Sequence, residues 1–240
     1  MKINRFQTHK KDNNVSFGWL PKTHSYITKS AINKIPELLP YKKYLQMGSV
    51  IPDIRLSQTS LLGSEAHYWY GKDFNCYDTV PKNAADFYCV LLSKAFEYLA
   101  QGHKKLAMYK AGETLHFLQD MAVPMHTKKE CHGFLNIFKH LNYEKLANKN
   151  FDLIDNLSLA TQNSEPENIY KLFIDAHKKS SSMKNPFDKD VNMKDLIKTT
   201  LTNAYVASYK FLKRFSDISK MSSSKRQECI AEEIFFKRLT

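Results

Sequence analysis

The sequence predicts an all-α, single-domain helical bundle, on three observations. Apolar residues recur at helical spacing along most of the 240 residues, and the alternating pattern of strands is scarce. Histidine–carboxylate pairs fall four residues apart, which places both side chains on one helix face. Pro21, Pro36, Gly102 and Pro124 punctuate the periodic stretches where helices should start or stop. The length suits one core large enough to need no covalent staples.

Taken in order, Thr23–Ile35 reads as the first helix, bracketed by Pro21 and Pro36. Residues 45–80 read mostly as loop, rich in Ser, Gly and aromatics. Ala84–Ala100 is a strong helix with an apolar stripe of Phe87, Leu91, Ala95, Tyr98 and Leu99. Gly102 ends it, and a second long helix runs to about Asp120, stopped by Pro124. Leu135–Ala147 follows, then helices near Glu167–His177 and Met193–Phe215. The last repeats Leu196, Leu201, Tyr205, Phe211 and Phe215 on one face, as a core helix would. Ser216–Arg226 is polar and reads as loop or frayed tail. No internal repeat is visible, and the elements fit a bundle with side chains drawn inward from facing helices.

Composition bounds the function without choosing it. Hydrophobic residues make up 42% and charged residues 25%, ordinary for a globular chain. No apolar run reaches the roughly 20 residues of a membrane-spanning helix. Met1–Gly18 has Lys2, Arg5, Lys10 and Lys11 but lacks the continuous apolar centre of a secretory signal. Cys76, Cys89, Cys131 and Cys229 show no CxxC spacing, and no disulfide framework is expected. The net charge of +12 favours anionic surfaces, whether phospholipid headgroups or nucleic acid. The lysines are spread along the chain, which fits a solubilising surface.

The chemistry concentrates in the run Gly112-Glu-Thr-Leu-His116-Phe-Leu-Gln-Asp120-Met-Ala-Val-Pro124-Met-His126. On a helix His116 and Asp120 aim at one point, and His126 lies in the turn beyond Pro124. Two imidazoles and a carboxylate make a divalent site of the kind zinc occupies. A second i,i+4 pair, His140 and Glu144, follows fourteen residues after His126. Upstream, Asp53 ends the loop Gly48-Ser-Val-Ile-Pro-Asp53, and His67 stands in Glu65-Ala-His67-Tyr-Trp-Tyr. Trp19-Leu-Pro-Lys-Thr-His24 adds one more imidazole. His9, His103 and His177 have no carboxylate at ligand spacing and read as surface residues. His132 competes with His140 if the helix register differs. Tyr68, Trp69, Tyr70, Phe74 and Tyr77 could line a lipid or base pocket, or equally hold the loop in place.

This series resembles the zinc-dependent phospholipase C family, whose fold is shared with the fungal single-strand nucleases. The resemblance runs from about Trp19 to the end of the chain and is specific across residues 48–145, where Leu-His-Phe-Leu-Gln-Asp…Pro-Met-His is close to the family signature. It implies residues 19–240 as the catalytic domain, with residues 1–18 an N-terminal extension that is removed or disordered. It implies one zinc on Asp53, His67, His116 and Asp120, and a second on His126, His140 and Glu144. A third would take Trp19, His24 and, again, Asp120. The cofactor is thus two or three Zn²⁺ ions. Eighteen residues precede Trp19, however, whereas the ligating Trp of exported relatives is the mature N-terminus. The choline-specific enzymes carry aromatics where this chain has Ile54 and Ser64, which weakens any expectation of choline selectivity.

The implied activity is hydrolysis of phospholipids to diacylglycerol and a phosphorylated head group by a metal-activated hydroxide, with Asp53 to orient or deprotonate the water. The alternatives are a single-strand nuclease-type phosphodiesterase or a catalytically idle relative that binds lipid or protein. A monomer working at a phospholipid membrane surface is expected, or on single-stranded nucleic acid in the nuclease reading. Secretion follows from the resemblance alone.

Overall fold

Asparagine caps set where three of the helices begin. The structure, a computed structural model, describes residues 21–56, 66–69, 71, 81–131, 136–155 and 167–237. Pro21 opens helix α1 (Pro21–Ile32), and a 3-10 turn at Pro36–Tyr41 leads directly into α2 (Lys42–Leu56). Helix α3 (Ala84–Ala100) starts on a reciprocal cap. Asn83 Oδ1 accepts from the Ala85 and Asp86 N–H groups, while Asp86 accepts from Asn83 N–H. Gly102, at φ 81°, turns the chain out of α3 in a conformation open to glycine and into α4 (Lys104–Asp120). Then come a single turn α5 (Pro124–Thr127), α6 (Ile137–Asn148) and the short α7 (Asp152–Asp155). Helices α8 (Ile169–Ser181) and α9 (Met193–Lys220) are capped by Asn168 and Asn192 side chains, and α10 (Ser223–Lys237) completes the described chain.

The protein is all-α, and no strand occurs among the described residues. No helix among them is long and apolar enough to cross a membrane. Helix α4 is the centre. Every residue from Ala111 to Asp120 is buried, so this stretch is enclosed on all sides rather than amphipathic. Helices α2 and α3 flank it, with α1 and α9 packed against it. The surrounding core is aromatic: Tyr88 packs on Phe173 at 4.4 Å between ring centres, and Phe96 stacks on Phe215 at 5.7 Å.

Four readings of the sequence need correcting. The stretch containing Gly48, Ser49, Pro52 and Asp53 is not loop but the body of α2. Those residues are poor helix formers, yet tertiary packing against α4 outweighs their propensity. Residues 216–226 are not a frayed tail: α9 continues to Lys220 and α10 begins at Ser223. Polar anchors hold that corner, with Arg226 donating to the Leu99 and Met221 carbonyls and Arg214 pairing with the buried Glu233. Such anchors leave no apolar periodicity to read. Pro124 does not stop α4, which has already ended at Asp120; it starts α5 instead. His177 is buried rather than on the surface, packed against Trp69 at 4.5 Å between ring centres. In addition, Cys89 is disulfide-bonded, while Cys131 and Cys229 are free thiols.

Candidate metal centre

Helices α2 and α4 cross at two glycines. A Cβ on Gly48 would lie 2.2 Å from the Tyr109 carbonyl oxygen, and one on Gly112 would lie 2.4 Å from that of Leu45. Only glycine lets the two backbones approach so closely. The crossing brings Asp53 of α2 to the His116–Asp120 face of α4. Helix α1 adds His24, α6 adds His140 and Glu144, and α5 adds His126. The segment 66–69 supplies His67 and is pinned by main-chain bonds from Trp69 N–H to His126 O and from Ala84 N–H to Tyr68 O.

Eight of the nine expected ligands therefore meet in one buried cluster, from His24 through Glu144. Trp19 lies outside the described residues, as do His132, Tyr70, Phe74 and Tyr77. Three sets of ligand atoms lie close enough to share an ion: His24, His116 and Asp120; Asp53, His67 and His116; and His126, His140 and Glu144. Asp120 faces two ways. Its Oδ1 is 3.4 Å from His24 Nε2, while its Oδ2 is 2.7 Å from His67 Nδ1 and 3.3 Å from His116 Nε2. Asp53 stands at the edge, 3.7 Å from His116 Nε2 and 4.0 Å from His24 Nε2. His140 Nε2 is 3.0 Å from Glu144 Oε1 across one helical turn.

The rings are oriented from behind. His116 Nδ1–H donates to Ser49 O at 3.0 Å, and His126 Nδ1–H donates to His67 O at 3.0 Å. His24 Nδ1–H donates to Gln119 Oε1 at 2.7 Å. Each bond fixes the tautomer so that Nε2 presents a lone pair to the cluster, the usual arrangement behind a metal-ligating imidazole. Gln119 in turn donates to Thr28 Oγ1 and Ser208 Oγ, tying α4 to α1 and α9. Tyr68 stacks on the His126 ring at 5.0 Å. Neither Gln119 nor Ser49 was singled out from the sequence. Gln119 sits beside Asp120 in the signature, but nothing in the spacing reveals that it reaches His24.

The electrostatics call for a cation. Both oxygens of Asp53, both of Glu144, Oδ1 of Asp120 and Nε2 of His126 are buried with no hydrogen-bond partner. Burial pushes the Asp53 and Glu144 carboxyls well above the usual range, reinforced by the Asp120 charge. Burial would raise Asp120 too, but His116 and His126 hold it well below that range. Burial also pushes His116 and His126 down to about 3, leaving both rings neutral and basic toward a metal. His24 is shifted the other way, because Asp120 and Asp53 outweigh its burial. Three carboxyl groups buried together are unfavourable by themselves and suited to divalent ions. Imidazole nitrogen and carboxylate oxygen are donors that zinc accepts.

Comparison with known proteins agrees with this chemistry. Alpha-toxin from Clostridium absonum superposes with a TM-score of 0.63 at 17% identity, over 88% of this chain and 66% of the toxin. Alpha-toxin from an avian strain of Clostridium perfringens, SWCP, gives 0.59 at 18% identity, over 84% of this chain and 64% of the toxin. The chain thus spans about two thirds of the length of these toxins, and at such identities the likeness is one of fold. No curated protein sequence matches. The family model described as zinc dependent phospholipase C matches residues 23–209, which include all eight clustered side chains, and on that match the chain belongs to the zinc dependent phospholipase C family.

Proposed function

We propose that the protein is a phospholipase C that hydrolyses phospholipids to diacylglycerol and a phosphorylated head group, using two or three zinc ions. The observation that carries this reading is the set of buried ligand atoms around Asp120, intact and with most of its carboxylate oxygens lacking a hydrogen-bond partner. Asp53, His67, His116 and Asp120 would hold one ion, and His126, His140 and Glu144 a second. His24 and the Oδ1 side of Asp120 would serve a third, with Trp19 as an additional ligand. When bound, the ions supply positive charge against phosphoryl oxygens and make water more acidic.

The rest is work for the chain. Asp120, fixed between three imidazoles, holds the ligand sets in register. Asp53, at the rim, is assigned to orient the attacking water and accept its proton on a carboxylate oxygen. The backbone acceptors behind His116 and His126 keep those rings from rotating, while burial keeps them neutral. The site therefore selects a phosphodiester anion, and the family points to phospholipid as its source.

The test assays one zinc-loaded preparation on mixed phospholipid vesicles and on single-stranded DNA, with Asp120→Asn as the blank. Phosphorylated head groups should appear with the wild type only. Nucleotide release with the lipid intact would overturn the reading in favour of nuclease chemistry. Silence on both substrates would overturn it in favour of a binding scaffold.

A further inference from the structure

Across α1 from the metal centre lies a surface that the catalytic cluster does not use. One groove of about 740 Å³ is bounded by Lys22 and Lys29 of α1, Lys145 and Lys149 at the end of α6, and a stacked pair, Tyr26 and Phe151. All four lysines are exposed, and among the described residues no acidic side chain lines the groove. A second groove of about 670 Å³ shares Ser25 and Gln46 with the first, so the two are continuous. Its lining is mostly apolar, with Leu39 from the 3-10 turn, Met47, Ile51 and Ile54 along α2, and Lys42 and Lys43 at one end. Leu39 is 48% exposed, Met47 46% and Ile54 45%.

Met47, Ile51 and Ile54 recur at helical spacing on the outer face of α2, while its inner face buries Leu45, Gly48 and Asp53. A helix that shows aliphatic side chains beside a cluster of lysines matches the interface of a bilayer. Lysine ammonium groups take headgroup phosphates there, and the aliphatic side chains enter the acyl boundary. Nucleic acid fits less well. Tyr26 and Phe151 lie parallel at 4.3 Å, so each uses a ring face on the other, and an aliphatic stripe offers bases nothing to stack on.

We propose that this continuous face of α1, α2 and α6 is the surface by which the protein docks on an anionic phospholipid bilayer. The docking rests on the phospholipase reading for its purpose, since the stripe ends at Ile54, one residue from Asp53.

The experiment measures sedimentation of the zinc-loaded full chain with two kinds of vesicle, phosphatidylcholine alone and phosphatidylcholine with phosphatidylserine. The wild type should bind the anionic vesicles at least tenfold more tightly, and the preference should fall with salt. Replacing Lys22, Lys29, Lys145 and Lys149 together by Glu should weaken that binding on the order of 100-fold, at about tenfold for each pair of exposed lysines or better. Met47→Asp, which leaves the lysines in place, should also weaken it. Both variants should hydrolyse a dispersed short-chain phosphatidylcholine as the wild type does, since none of these side chains is in the cluster. Equal binding of both vesicles by the wild type, unchanged binding by the lysine variant, or displacement of the bound protein by single-stranded DNA at lower concentration than by anionic lipid would overturn the docking. Vesicle binding without hydrolysis of any phospholipid would leave the docking standing and remove the phospholipase reading; hydrolysis of dispersed lipid without vesicle binding would do the reverse.

Discussion

Gly48 of α2 and Gly112 of α4 meet backbone to backbone, and a Cβ on Gly112 would come within 3.0 Å of the Gly48 Cα. Asp53 follows Gly48 by little more than one helical turn, and His116 follows Gly112 by one. The spacing between these carboxylate and imidazole ligands is thus set by the glycine contact. Gly112→Ala should force the helices apart and lower stability by about 1–3 kcal/mol, the usual cost of overpacking. Thermal melts of the metal-free and zinc-loaded variant should show more loss in the zinc-loaded form, because the ligand set is displaced as well. A variant as stable as the wild type in both forms would mean that the crossing has slack.

Gln119 joins three helices through one amide. Gln119→Leu would leave His24 Nδ1–H, Thr28 and Ser208 with a lost partner in the core. Ser208 keeps its bond to the Ala204 carbonyl, and each buried polar group left without a partner costs about 1–3 kcal/mol. Removal of an orienting partner behind a metal-ligating imidazole weakens the metal by about 10–100-fold. Competition with a chelator should show that loss for the ion nearest His24, while the ion at His126, His140 and Glu144 keeps its affinity. Uniform loss at every site would point to general unfolding instead.

His140 and His132 provide a test of register. His140 Nε2 faces Glu144 at 3.0 Å and its ring sits edge-on to His126 at 4.9 Å. His140→Ala should cost one zinc per chain, and His132→Ala none, as read by elemental analysis. The reverse result would place the wrong imidazole in the cluster.

Much of this centre was legible in the sequence, for a physical reason. Ligands four residues apart on a helix declare themselves, so His116, Asp120, His140 and Glu144 were readable directly. Asp53 and His67 are expected as ligands only through the family resemblance, and the segment holding Asp53 reads as loop where the structure has helix. Gly48 and Pro52 argue locally for a loop, and the helix exists because Gly48 fits against α4, a relation between residues far apart in the chain. The same holds for His177. It has no carboxylate at helical spacing, and its burial comes from Trp69 and from Gly71, whose φ of 79° brings it against the imidazole. Partners brought together by the fold leave no periodic trace.

His177 also gives a pH dependence with a definite sign. Burial lowers its pKa from 6.5, with Lys178 adding to the effect, although a hydrogen bond with the Trp69 main chain opposes it. As pH falls, the unfolded chain therefore takes up this proton before the folded chain does. The stability held by the neutral ring is complete above pH 6.5 and is lost as pH falls below it toward the folded value. His177→Gln should flatten the fall in melting temperature below pH 6.5 while leaving the curve above that pH parallel to wild type. An unchanged slope in acid would show that the ring titrates as it does in solution.

The most direct test of the centre is the metal content of protein purified without chelators. At least two zinc ions per chain are expected for the wild type. Asp120→Asn should lose at least one, because the Asp120 carboxylate faces His24 with one oxygen and His67 and His116 with the other. Wild-type protein carrying no transition metal, or an Asp120→Asn variant with its full complement, would contradict the assignment of these buried side chains as a metal centre.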